Sequence, residues 1–279
     1  MRIEPNLSMV GAEIERGMAE QAEQHLKVGV RRGPGLLARL QARVAERSRR
    51  KRAELFFKVL DIRDDARVLD LGGARGVHFA RHYGRLTNVC IADRDPAPLR
   101  HAAQTYGYQT LLLDDSARLP LADGAFDVIF CSSVVEHVTG PRDQALALFK
   151  QDGRRFAAEA LTHQTRFANE IRRCAKAYFV QTPYRYFPIE VHCWIPFVGY
   201  LPTHLQWRVI SLFNRFWPRR IAQPDWSLLT AAQMRRLFPD AELHRETVFG
   251  FTKSLIAIRR APASSARMQV EAPGAAAPR

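Results

Sequence analysis

Cysteine is scarce: Cys90, Cys131, Cys174 and Cys193 are the only four in 279 residues, and no two form a CxxC pair. That spacing argues against a zinc ribbon or a disulfide framework, so no metal and a reducing compartment are expected. Long apolar runs are missing as well, since none approaches the roughly 20 residues that span a bilayer. The opening MRIEPNLSMVGAEIERGMAEQ places acids where a signal peptide needs an apolar core, and a cytoplasmic protein is expected. Acids are outnumbered, 28 Asp and Glu against 42 Lys and Arg, for a net charge of +14. The surplus suits an anionic partner such as nucleic acid, lipid headgroups or a phosphorylated substrate, and equally a basic enzyme without one. Against these shortages, 47% of the residues are hydrophobic, and the length suits one large α/β domain before two small ones.

The chain alternates short apolar strands with helix-compatible text. ARVLDL precedes VHFARHYG, NVCIAD precedes PAPLRHAAQTYG, TLLL runs into Asp114-Asp115, and FDVIFC precedes a polar helical stretch from Arg142 to Ala175. That stretch is too long for one crossover helix and is expected to break near Asp152-Gly153. AYFVQT, AELHRETVFG and KSLIAIRR complete seven strands. The pattern predicts an α/β, doubly wound, mostly parallel Rossmann-like sheet. Its last two strands should pair antiparallel through a short connection at Phe251-Thr252. Residues 1–60 read as a basic helical extension, 61–260 as the α/β domain and 261–279 as a disordered tail. Within the extension, LLARLQARVAERSRRKRAELFFK has helical spacing. Its basic face is either a solvated helix side or a patch for anionic substrates or a membrane surface, at the inner membrane face in the second case. The segment at about 183–222 is dense in aromatics and prolines and lies where it can cover a site. Its stripe of Trp194, Phe197, Tyr200, Trp207, Phe213, Phe216 and Trp217 reads first as lid core.

In an open parallel sheet, ligands sit beyond the carboxyl ends of the strands. Strand one ends at Asp70 and the turn Gly72-Gly73-Ala74-Arg75-Gly76, where glycines let backbone and ligand approach closely. Strand two ends at Asp93, a carboxylate suited to the two hydroxyls of a ribose. Strand three leads to Asp115 and Ser116, which can read an adenine amino group, and strand four ends at Cys131-Ser132-Ser133. The turn lacks the GxGxxG spacing of a nicotinamide site.

VLDLGGARG, then IAD, then DDSARLPLADGAFDVIFCSSVVEHV resembles the class I S-adenosylmethionine-dependent methyltransferases, and more closely their broad small-molecule "type 11" group. The likeness is specific from about Arg67 to Thr139. It implies that Gly72, Gly73, Ala74 and Gly76 face the methionine part of S-adenosyl-L-methionine, that Asp93 binds the ribose, and that Asp115 and Ser116 bind the adenine. Asp70 would orient the turn and the cofactor's amino group, with Ser132 at the same strand ends. Two positions depart from the family: its central glycine is Ala74, and the glycine pair before strand five is missing.

Methyl transfer to a hydroxyl needs a group that takes up the acceptor's proton. His137, Glu190 and His192 are the candidates, with His204 further along the lid and Tyr184 and Tyr186 as shaping groups. The expected activity is methylation of a small molecule, at oxygen before nitrogen or carbon, on a glycan, lipid-linked or secondary-metabolite acceptor. Rival readings are an RNA methyltransferase using the basic surface and a catalytically silent relative that binds cofactor or a protein partner. No N/D-P-P-aromatic motif follows strand four, and Cys131, preceded by Phe130, reads as a buried strand-end residue and not as a cytosine-methylating nucleophile.

Overall fold

The structure is a computed structural model and describes residues 36–114, 118–216 and 224–262. The extension before residue 36, Asp115, Ser116, Trp217 and the tail from 263 lie outside the described residues. Seven strands form one sheet in the order β3-β2-β1-β4-β5-β7-β6. They are β1 (Arg67–Leu71), β2 (Asn88–Asp93), β3 (Gln109–Leu112), β4 (Phe126–Ser132), β5 (Ala175–Pro183), β6 (Glu242–Val248) and β7 (Phe251–Arg259). The first five pair parallel, and β7 inserts antiparallel between β5 and β6. The hairpin turn is Phe249-Gly250, not Phe251-Thr252. Both turn residues have positive φ, 50° and 82°, the backbone that a two-residue hairpin with native twist requires. A phenylalanine in that conformation gives no turn signal, which is why the sequence points two residues too far along.

Helices cover both faces. On one lie α1 (Leu36–Leu60), α2 (Val77–Tyr83) and α3 (Pro96–Tyr106); on the other lie α5 (Gly153–Cys174) and α7 (Ala231–Leu237), with α4 (Arg142–Gln151) and α6 (Thr203–Phe216) outside them. The break between α4 and α5 falls at Asp152, whose side chain accepts from the Arg154 and Arg155 N–H groups, a cap that restarts the helix. The strands are apolar on both sides because both sides are covered.

The missing glycine pair before β5 has a structural replacement. Helix α5 runs into β5 without a linker, and Arg259 of β7 donates to the carbonyls of Arg172 and Ala175, which satisfies the helix end. Helix α1 docks through Phe56, fully buried against Phe57, Tyr83, Phe130 and Phe179 with ring centroids 5.1–5.8 Å apart. Its basic residues divide. Arg43, Arg47, Arg50 and Lys51 face solvent, whereas Arg49 and Arg52 turn inward, so neither sequence reading of this face holds for all of it. Among the described residues no helix is long and apolar enough to cross a membrane. Phe56→Ala should cost about 3–5 kcal/mol, read as a lowered midpoint in urea unfolding; a loss under about 1 kcal/mol would mean that α1 is an appendage.

Candidate functional site

The carboxyl ends of β1 and β2 bring two acids together around the glycine turn. Gly72 has φ +80° and donates its N–H to the Ala92 carbonyl at 2.7 Å. A Cβ at Gly72 would overlap a Val134 methyl, and one at Gly73 would overlap the Asp70 carboxylate, so both positions demand glycine for space. Ala74 has φ 48°, a left-handed backbone that the family's glycine takes without strain. Its N–H donates to Asp93 Oδ2 at 3.0 Å, while Asp93 Oδ1 accepts from the Arg94 and Asp95 N–H groups at 2.7 and 3.1 Å. A carboxylate offers about four lone-pair sites, so Asp93 can anchor the turn and still accept from a ligand.

Asp70 is buried beneath Gly73. Burial, reinforced by the charge of Asp93, pushes its carboxyl up to about 8. The turn therefore lies over an acid that becomes an anion readily only when a cation joins it. Ser132 donates to Gln181 Oε1 at 2.6 Å, Ser133 does so at 3.2 Å, and Arg52 of α1 donates to Ser132 Oγ at 2.9 Å and to Gln181 Oε1 at 2.7 Å. Arg52 and the buried Gln181 were not among the residues singled out from sequence. A positive residue on a separate helix and a glutamine within a strand carry no local signal of such a contact.

A second cluster forms where the lid crosses the loop after β4. Glu136 and His137 lie in a short 3-10 turn, Val135–His137. The lid's return segment is laid across that turn: Ser227 N–H donates to the Glu136 carbonyl at 2.7 Å, and the side-chain amide of the buried Gln164 donates to the carbonyls of both Val135 and Ser227. This brings Asp225 Oδ1 to 3.2 Å from His137 Nδ1 and stacks Trp226 on His192, with ring centroids 4.7 Å apart. Glu190 closes its own loop, accepting the N–H groups of His192 and Cys193 on Oε2 at 2.8 and 2.6 Å and meeting His192 Nδ1 through Oε1 at 2.7 Å. The two imidazoles meet edge to face, centroids 5.0 Å apart. Burial works to lower the His137 pKa, but the Asp225 hydrogen bond and the charges of Glu136, Asp225 and Glu190 outweigh it and raise it. Burial raises the Glu136 carboxyl despite its hydrogen bond from Thr182.

The structure thus brings His137, His192 and Glu190 together and leaves His204 out. His204 opens α6, with its backbone against Gly153. Tyr184 and Tyr186 pack on each other, and Tyr186 packs on Tyr200. The aromatic stripe is not lid core throughout: Phe197, Tyr200, Phe213 and Phe216 are exposed, and the lid's core is Cys193, Ile195, Val198, Ile210 and Trp226. On α6, Trp207 packs against Phe149, whereas Phe213 and Phe216 are exposed. Cys131 is fully buried, and burial followed by the charges of Glu136 and Asp70 pushes its thiol far up, which leaves it inert.

Because the folded Asp70 titrates near 8 and a free aspartate near 3.8, between those pH values the folded chain holds a proton that the unfolded chain releases. Its contribution to stability therefore falls as pH rises through that window. Asp70→Asn should gain on the wild type by about 1 kcal/mol or more between pH 5 and pH 8 in urea unfolding; a difference independent of pH would show that Asp70 titrates normally.

The family model described as "Methyltransferase domain" matches residues 69–151, the span from β1 through α4. None of the curated proteins matches the chain. Solved structures that overlay on it include a magnesium protoporphyrin IX methyltransferase from Synechocystis with bound SAH, at 14% identity over 91% of this chain and 100% of that one, TM-score 0.47. A possible exported protein from Bordetella parapertussis aligns at 17% identity over 87% and 79% of the two chains, TM-score 0.49. A SAM-dependent methyltransferase from Aquifex aeolicus aligns at 14% over 74% and 88%, TM-score 0.41. The glycine turn and the strand-end acids Asp70 and Asp93 lie inside the segment that matches the methyltransferase domain.

Proposed function

We propose that the chain binds S-adenosylmethionine at the turn over residues 72–76 and methylates a hydroxyl of a small-molecule acceptor held at the histidine cluster. The observation that carries this reading is the pairing of two carboxylate-backed imidazoles, His137–Asp225 and His192–Glu190, just beyond β4 and β5. Val134 links the two halves of the site, since it packs against Gly72 and lies two residues before Glu136. When bound, S-adenosylmethionine supplies a methyl carbon made electrophilic by the neighbouring sulfonium.

The residues suit such a ligand. Asp70 offers an anion to an ammonium group, Asp93 offers free lone pairs to ribose hydroxyls, and Gly72 and Gly73 leave the room that a Cβ would fill. Asp115 and Ser116, which lie outside the described residues, are proposed for the adenine, and Ser132 for the cofactor edge beside Gln181. On the acceptor side, His192 takes up the hydroxyl proton and Glu190 holds the ring and its positive charge. The acceptor oxygen then attacks with a lone pair, in line with the bond that breaks. A small open cleft lined by Arg185, Glu190, Thr203, Gln206 and Trp226 adjoins this cluster. The outward cations Arg43, Arg47, Arg50 and Lys51 favour RNA as the second acceptor to test.

Incubation with methyl-labelled cofactor and panels of phenolic, glycan, lipid-linked and RNA acceptors should place label on a small hydroxyl compound. His192→Ala should then lower kcat by about 100-fold or more, with KM for the cofactor unchanged. Label found only in RNA, or full kcat in the variant, would refute this assignment.

A further inference from the structure

The histidine cluster has a property that proton transfer alone does not use. Glu136, His137 and His192 each present one ligand atom, and these atoms lie within 4.8 Å of one another. Both imidazoles are held at Nδ1 by a carboxylate, His137 by Asp225 at 3.2 Å and His192 by Glu190 at 2.7 Å. An imidazole held in this way keeps its proton on Nδ1 and its lone pair on Nε2, the arrangement that a carboxylate imposes on a metal-bound histidine. Glu136 is fully buried. Its Oε2 accepts from Thr182 Oγ1 at 2.9 Å, whereas Oε1 has no hydrogen-bond partner.

An internal ion pair would be the ordinary explanation for a buried glutamate beside two histidines. Here both rings already have their own carboxylates, and among the described residues no hydrogen bond joins either ring to Glu136. A buried carboxyl oxygen left without a donor is open to a cation.

We propose that Glu136, His137 and His192 bind one divalent first-row transition-metal ion, with Asp225 and Glu190 as the outer carboxylates that orient the two histidines. Two imidazoles and one carboxylate suit zinc, manganese, iron or cobalt better than magnesium or calcium, which take oxygen ligands. Bonds of about 2.1 Å in a tetrahedral array set the ligand atoms about 3.4 Å apart, so the widest pair closes by up to about 1.4 Å on loading, through side-chain rotation. Three protein ligands leave coordination positions open, the pattern of a catalytic site and not of a structural one. This departs from the expectation, drawn from the four scattered cysteines, that the chain holds no metal.

The ion's use rests on the proposed methyl transfer. An acceptor hydroxyl on an open position loses its proton more easily to solvent, and the two imidazoles then serve as ligands while the cation does the work otherwise given to a base. Metal binding itself needs neither cofactor nor acceptor, so it is tested without them.

The full chain, free of tags and stripped with a chelator, is titrated calorimetrically with Zn²⁺ and spectroscopically with Co²⁺. The expected result is one ion per chain, with visible Co²⁺ absorption of a site having nitrogen and oxygen ligands. His192→Ala and Glu136→Gln should weaken binding at least 100-fold, and Glu190→Gln, which removes an outer carboxylate only, by about 10–100-fold. His163→Ala, outside the cluster, should bind as the wild type does. Circular dichroism establishes that each variant is folded. No uptake by the wild type overturns the proposal. So does uptake that folded Glu136→Gln and Glu190→Gln retain in full, which would mark an adventitious surface ion. Failure of S-adenosylmethionine to bind would leave this titration unchanged.

Discussion

The carboxyl end of the sheet is organised around one carboxylate that water barely reaches. Asp70 ends β1 in a position where its charge is costly, and the turn that follows must pass directly over it. That close passage allows no side chain at Gly73, while Val134 allows none at Gly72, so the turn is shaped by contacts from below and from the β4 side. Asp93 completes the constraint by holding Ala74 N–H from the neighbouring strand, 19 positions away. The result is a buried carboxyl floor, raised in pKa by its own burial and readily ionised only beside a cation, under a stretch of backbone that a ligand can approach. A neutral or anionic ligand would gain little there. A ligand carrying an ammonium group and a ribose meets both acids.

The segment between β5 and β6 is a structural partner of this floor. Its return segment is tied by Gln164 and Ser227 to the loop after β4, and that crossing sets Asp225 on His137 and Trp226 on His192. The histidine cluster is built from the loop after β4 and the segment between β5 and β6, whereas the glycine turn rests on β1, β2 and Val134.

How much of this could be read from the sequence follows the distance over which each signal acts. Strand ends, the glycine turn and the break at Asp152 are local: each depends on residues within one turn or strand, and each lies where the text indicates. The pairing of His192 with Glu190 is likewise legible, two residues apart in one loop. The contact of His137 with Asp225 spans 88 positions and that of Arg52 with Gln181 spans 129, so no spacing announces them. The division of α1 into outward and inward arginines depends on what β4 and β5 present, which helical periodicity cannot show. The hairpin turn is not legible because Phe249 occupies a backbone conformation normally left to glycine or asparagine. Aromatic residues are usually buried, yet Phe197, Tyr200, Phe213 and Phe216 are exposed, and no local signal in the sequence separates them from the buried Trp226.

The central claim is that the turn between Asp70 and Asp93 holds S-adenosylmethionine, and calorimetric titration of the full chain with that cofactor, alongside Asp93→Asn, tests it most directly. The account predicts one site of micromolar affinity, weakened about 10-fold or more in the variant, in keeping with the loss of a charged hydrogen-bond acceptor. A folded wild-type chain that takes up no cofactor, or a variant that binds it equally well, would contradict the account.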